Sequence, residues 1–159
     1  MALWAAASAC YRLSIIGLRQ RGARGVGFMH SVLLIEDDES LREFLRVTLV
    51  GAGYAVAEAI NGRQGVKAFR KSPTDLVVTD VYMPERDGLE VIEALRRSHP
   101  RVKVLAISGA SGTMGYFSLA QSLGAVAVLQ KPFGSSAFLK LVEQLLKSDD
   151  GNEAKRETA

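Results

Sequence analysis

Five short apolar runs, each followed by an amphipathic stretch of helical length, restrict this chain more than any other feature. Val32-Leu33-Leu34-Ile35 has no polar residue between its apolar ones, and Leu76-Val77-Val78 is as uniform. A strand wetted on one face alternates polar and apolar residues; one covered on both faces reads as a continuous hydrophobic run. The other three runs are Tyr54–Ala57, Val102–Ile107 and Val126–Leu129. Between them lie helical patterns, the first carrying Leu41, Phe44, Leu45, Thr48 and Leu49, the last Phe138, Leu139, Leu141, Val142, Leu145 and Leu146. Gly51, Gly53, Ser72-Pro73, His99-Pro100 and Gly124 punctuate the units. Alternating strands and helices predict an α/β domain: a parallel sheet with helices on both faces and right-handed crossovers.

In such sheets, ligands sit beyond the carboxyl ends of the strands. Asp37 and Asp38 follow the first strand, and Asp80 closes the third. If those strands are neighbours, three carboxylates crowd one shallow pocket and repel one another. A hard cation such as Mg²⁺ relieves that repulsion with oxygen ligands. Capping of the first helix is the competing role for Asp37 and Asp38; it accounts for one acid and leaves Asp80 unexplained. Strand four ends in Ser108-Gly109, and strand five is followed by Lys131-Pro132. Singly, these are an ordinary turn serine and surface lysine. Acids, hydroxyl and ammonium at the carboxyl ends of different strands make a site suited to a phosphoryl group. An aspartate carboxylate can attack phosphorus and form an acyl-phosphate.

Over residues 31–147 the chain resembles the receiver domains of two-component response regulators. The resemblance rests on Glu36-Asp37-Asp38, on Asp80 with Met83-Pro84 and Asp87-Gly88, on Ser108-Gly109, and on Gly124-Ala125 ahead of Lys131-Pro132-Phe133. It implies a flavodoxin-like receiver fold with sheet order 2-1-3-4-5. It also implies phosphorylation of Asp80 by a histidine kinase or histidine phosphotransfer protein. Mg²⁺ would be held by Asp38, Asp80 and the backbone carbonyl of Tyr82, with Asp37 assisting through water. Ser108 would bond the phosphoryl oxygen and Lys131 pair with it. Two positions depart from the family pattern. Val128 stands three residues before the lysine, where many members carry an aromatic switch residue. Tyr82, two residues after the acceptor, is bulky enough to shield a phosphoryl group from water. The analogy places any conformational response near Tyr116 and Phe117. Competing readings are a degenerate receiver that acts only as an interaction domain, and an aspartyl-phosphate phosphatase. The phosphatase reading lacks an Asp-x-Asp acceptor motif, since Val81 and Tyr82 follow Asp80.

Charge does not favour nucleic acid. The net charge of the 159 residues is +3, but residues 1–30 hold Arg12, Arg19, Arg21 and Arg24 and no acid. Residues 31–159 therefore carry 16 basic against 17 acidic side chains, a net of −1. No basic, aromatic-laced stripe tracks a phosphate backbone. Residues 1–30 are expected to be an extension ahead of the domain, either disordered, translated upstream of a start at Met29, or a targeting leader. Residues 148–159 are expected to form a flexible tail. A single cysteine, Cys10, suggests a reducing compartment, the cytoplasm. No apolar run is long enough for a membrane span. The pattern after Lys147 suggests no output domain, so a stand-alone module signalling by protein contact is expected.

Overall fold

Each apolar run forms a strand and each amphipathic stretch a helix in the computed structural model, which describes residues 30–83, 87–109 and 114–153. In chain order the elements are β1 (Ser31–Ile35), α1 (Glu39–Gly51), β2 (Ala55–Ala59), α2 (Gly62–Lys71) and β3 (Leu76–Asp80). They continue with α3 (Gly88–Ser98), β4 (Lys103–Ser108), α4 (Met114–Leu123), β5 (Ala127–Gln130) and α5 (Ser135–Glu153). The strand order is β2-β1-β3-β4-β5 with every pair parallel, as the family resemblance implies.

The unbroken apolar runs are explained by two cores, one on each face of the sheet. Val32 and Leu34 of β1, Leu76 and Val78 of β3, and Leu105 and Ile107 of β4 pack under α1 and α5, meeting Leu45, Leu49, Phe138, Val142 and Leu146. The intervening residues Leu33, Ile35, Val77, Val104 and Ala106 face α2, α3 and α4, meeting Val66, Phe69, Ile92, Leu95 and Ala120. The period-two geometry of a strand assigns alternate residues to opposite cores, so the inner strands β1, β3 and β4 are covered on both faces, while the edge strands β2 and β5 keep exposed positions at Glu58 and Gln130.

Helix starts are fixed by side-chain caps. Asp38 accepts the Leu41 N–H at 2.7 Å, Asn61 the Gln64 N–H at 2.8 Å, and Asp87 the Glu90 N–H at 2.9 Å. Gly124 closes α4 at φ 113°, a left-handed turn that releases the chain into β5. Strand bounds differ from the sequence reading by up to two residues. β5 is displaced by one, leaving Val126 half exposed and drawing Gln130 into the ladder. The last helix runs to Glu153, so the first part of the expected tail is helical. Residues 1–29, 154–159, Pro84 and the side chain of Tyr116 lie outside what is described.

Candidate functional site

Parallel register brings the strand ends to one rim. Ile35 of β1 pairs with Thr79, Asp80 with Ile107, and Ser108 with Gln130. Beyond the ladders, the Val81 N–H donates to the Ile107 carbonyl at 2.8 Å and the Lys131 N–H to the Ser108 carbonyl at 2.7 Å. Glu36, Asp80, Ser108 and Lys131 are thus set by the sheet itself, while Asp37 stands on the short β1–α1 loop.

Asp80 is 6% exposed, and both of its carboxylate oxygens are engaged. Lys131 Nζ donates to Oδ2 at 2.7 Å, and the Tyr82 N–H donates to Oδ1 at 3.3 Å. The same ammonium reaches Glu36 Oε2 at 3.3 Å, so one lysine bridges two buried acids. Asp37 is exposed at the mouth. Among the described residues, Glu36, Asp37 and Asp80 each offer a carboxylate oxygen within 4.8 Å of the others. Behind Asp80, a Cβ added at Gly88 would collide with the Asp80 carbonyl; only glycine lets the start of α3 approach so closely.

The charges feel this crowding. Burial, and then the neighbouring Asp80 carboxylate, push the Glu36 carboxyl up to about 7, with Lys131 only partly offsetting them. Burial alone would pull the Lys131 ammonium down. Its hydrogen bond to Asp80 and the charges of Asp80 and Glu36 outweigh that, so it is held above the ordinary lysine value. Ser108 is fully buried, and its Oγ has no hydrogen-bond partner among the described residues. Such a hydroxyl costs about 1–3 kcal/mol unless a bound group satisfies it.

The acidic set differs from the expected one by a single residue. Asp38 was expected to ligate the cation; its carboxylate instead caps α1, and its own N–H donates to Glu36 Oε1 at 3.2 Å. Glu36 stands in the cluster with Asp37 and Asp80, because β1 hydrogen bonding continues one residue past the strand: the Glu36 N–H donates to the Ala59 carbonyl at 3.1 Å. The one sequence signal that bears on Asp38 is its place directly before Glu39-Ser40-Leu41, where an N-cap stands; nothing in the run of acids marks Glu36.

Residues 32–143 match the family model of the response regulator receiver domain. The chain belongs to that family. The receiver domain is 32% identical over 117 residues to the chemotaxis protein CheY of Thermotoga maritima, covering 73% of this chain and 97% of that one. It is 36% identical over 104 residues to the "Probable C4-dicarboxylate response regulator DctR" of Bacillus subtilis, covering 64% of this chain. The chain spans 46% of DctR, and 26% of the NtrX-like response regulator of Rickettsia conorii. Among solved structures, the chemotaxis protein CheY4 of Vibrio cholerae superposes with a TM-score of 0.70 at 29% identity, covering 74% of this chain and 99% of that one.

Around the receiver site, Tyr82 lies with its side chain half exposed while its backbone holds Asp80. Val128 of β5 is half-buried against the core under α2, α3 and α4, and it pairs with Ala106. Phe117 on α4 is half-buried as well. Among the described residues, no helix is long and apolar enough to cross a membrane.

Proposed function

We propose that this receiver domain accepts a phosphoryl group on Asp80 from a phosphohistidine donor, a histidine kinase or histidine phosphotransfer protein, and signals through protein contact. The observation that carries this reading is the bridge from Lys131 Nζ to Asp80 Oδ2 and Glu36 Oε2, together with the Ser108 hydroxyl at the end of the adjoining strand, which has no partner among the described residues. An Asp80 oxygen attacks phosphorus as the P–N bond to the donor imidazole breaks, leaving an aspartyl phosphate and a free imidazole. Lys131 then pairs with a phosphoryl oxygen, and the Ser108 hydroxyl donates to another.

Hard carboxylate oxygens at this spacing, partly desolvated and mutually repelling, suit Mg²⁺. We assign Asp37 and Asp80, with the backbone carbonyl of Tyr82, as its holders and Glu36 as a supporting acid. When bound, the ion supplies charge neutralisation to the phosphoryl oxygens. The receiver itself contributes positioning. It works in the cytoplasm, where ATP charges phosphohistidine donors.

Incubation with Mg²⁺ and acetyl phosphate should add one phosphoryl group by intact mass. The addition should vanish in Asp80→Asn and with a chelator. Labelling that persists in Asp80→Asn would refute the assignment. Absence of labelling in the wild type would favour the purely interacting, degenerate receiver. Sustained turnover of phosphate esters would favour the phosphatase.

A further inference from the structure

We infer that Arg42 is a positioning residue that presets the acidic loop for its cation, and that Glu58 on β2 holds Arg42 in place. The inference rests on the proposed Mg²⁺ site and extends it to residues that do not belong to the acidic set. Arg42 lies one turn into α1, with its side chain 15% exposed. Its Nη1 donates to the backbone carbonyl of Glu36 at 2.9 Å and to that of Asp37 at 3.3 Å. These are the peptide units that carry two of the three clustered carboxylates. The opposite edge of the guanidinium faces Glu58, with Nε 3.6 Å from Oε2.

Glu58 stands in the strand beside β1, where it pairs with Leu34, and it also faces Arg46 Nε at 3.9 Å. One planar fork therefore ties the helix, the loop and the neighbouring strand together. A planar, rigid donor set can hold a backbone in one geometry at small entropy cost, which an ammonium on a flexible stem cannot do as well. Asp37 is the exposed member of the cluster, and Arg42 supplies a side-chain donor to its carbonyl. Outer groups that orient ligands commonly change metal affinity by about tenfold or more when removed.

The sign of the effect separates this role from simple proximity. A cation beside an acidic pocket opposes a second cation, so deleting Arg42 as a mere charge would tighten Mg²⁺ binding. Deleting it as a positioning group weakens binding. Calorimetric titration of the full chain with MgCl₂ should show Arg42→Met binding about tenfold more weakly than wild type. Its deficit in acetyl-phosphate labelling should shrink as Mg²⁺ is raised. Glu58→Gln should weaken binding less, and should add nothing in the Arg42→Met background. Arg42→Lys keeps the charge without the fork; it should also bind more weakly, and it carries the test if Arg42→Met fails to fold by circular dichroism. Equal or tighter binding in the folded Arg42 variants would overturn the proposal, and a Glu58→Gln effect that persists undiminished without Arg42 would overturn the role of Glu58. A wild type that binds no Mg²⁺ would instead overturn the acidic-site reading itself.

Discussion

Lys131 touches both Glu36 and Asp80. With the ammonium 2.7 Å from one buried acid and 3.3 Å from another, Lys131 is what permits two carboxylates to share the pocket. Lys131→Ala should lower the rate of Asp80 phosphorylation by roughly a hundredfold, the scale of losing one preorganised charge at a reacting oxygen; stopped labelling time courses would measure it. Glu36 sets a pH dependence. Its carboxyl moves from 4.5 to about 7 on folding, so the native protein binds the proton more tightly than the unfolded chain. That stabilisation is complete below pH 4.5 and is lost as pH rises through about 7, a change of roughly 3 kcal/mol. Urea unfolding of the metal-free protein should therefore show stability falling from pH 5 to 8, and Glu36→Gln should flatten that slope. Tyr82 offers a kinetic test. If its half-exposed ring screens the phosphoryl group from water, Tyr82→Ala shortens the lifetime of the phosphoprotein; equal lifetimes would remove that role.

At the scale of elements, caps and close approaches decide where the acids stand. Asp38→Ala should cost about 1 kcal/mol of stability in thermal or urea unfolding, the usual loss for an N-cap, and leave the carboxylate cluster in place. A direct ligand would instead show a large loss of Mg²⁺ affinity. This position also marks the limit of what the sequence discloses. Strand and helix identities were legible because the hydrophobic period switches from continuous to helical, and the strand-end positions of Asp80, Ser108 and Lys131 followed from it. The choice between Glu36 and Asp38 was not, because it depends on whether the β1 ladder ends at Ile35 or continues one residue, and a run of acids carries no apolar marker of that boundary. The roles of Arg42 and Glu58 were equally silent. Charged residues on a helix and a strand read as solvated until the fold brings α1 against β2.

For the whole molecule, the two-core sheet makes the strands rigid and leaves function to the loops at their carboxyl ends. Val32, Leu34, Leu76 and Val104 are all fully buried, so the rim that carries the site rests on a part of the fold with no slack. Phosphorylation can act only by favouring one of two arrangements of the surrounding segments. Val128 stands where many members of the family carry an aromatic residue, and a valine cannot report that choice by ring rotation. Everything depends on which carboxylate becomes phosphorylated. Borohydride reduction after acetyl-phosphate treatment, followed by peptide mass mapping, locates an acyl-phosphate directly. The account predicts a reduced residue at Asp80 and nowhere else; a reduced residue at Asp37 or Asp38, or a phosphoryl group left on Ser108, would contradict it.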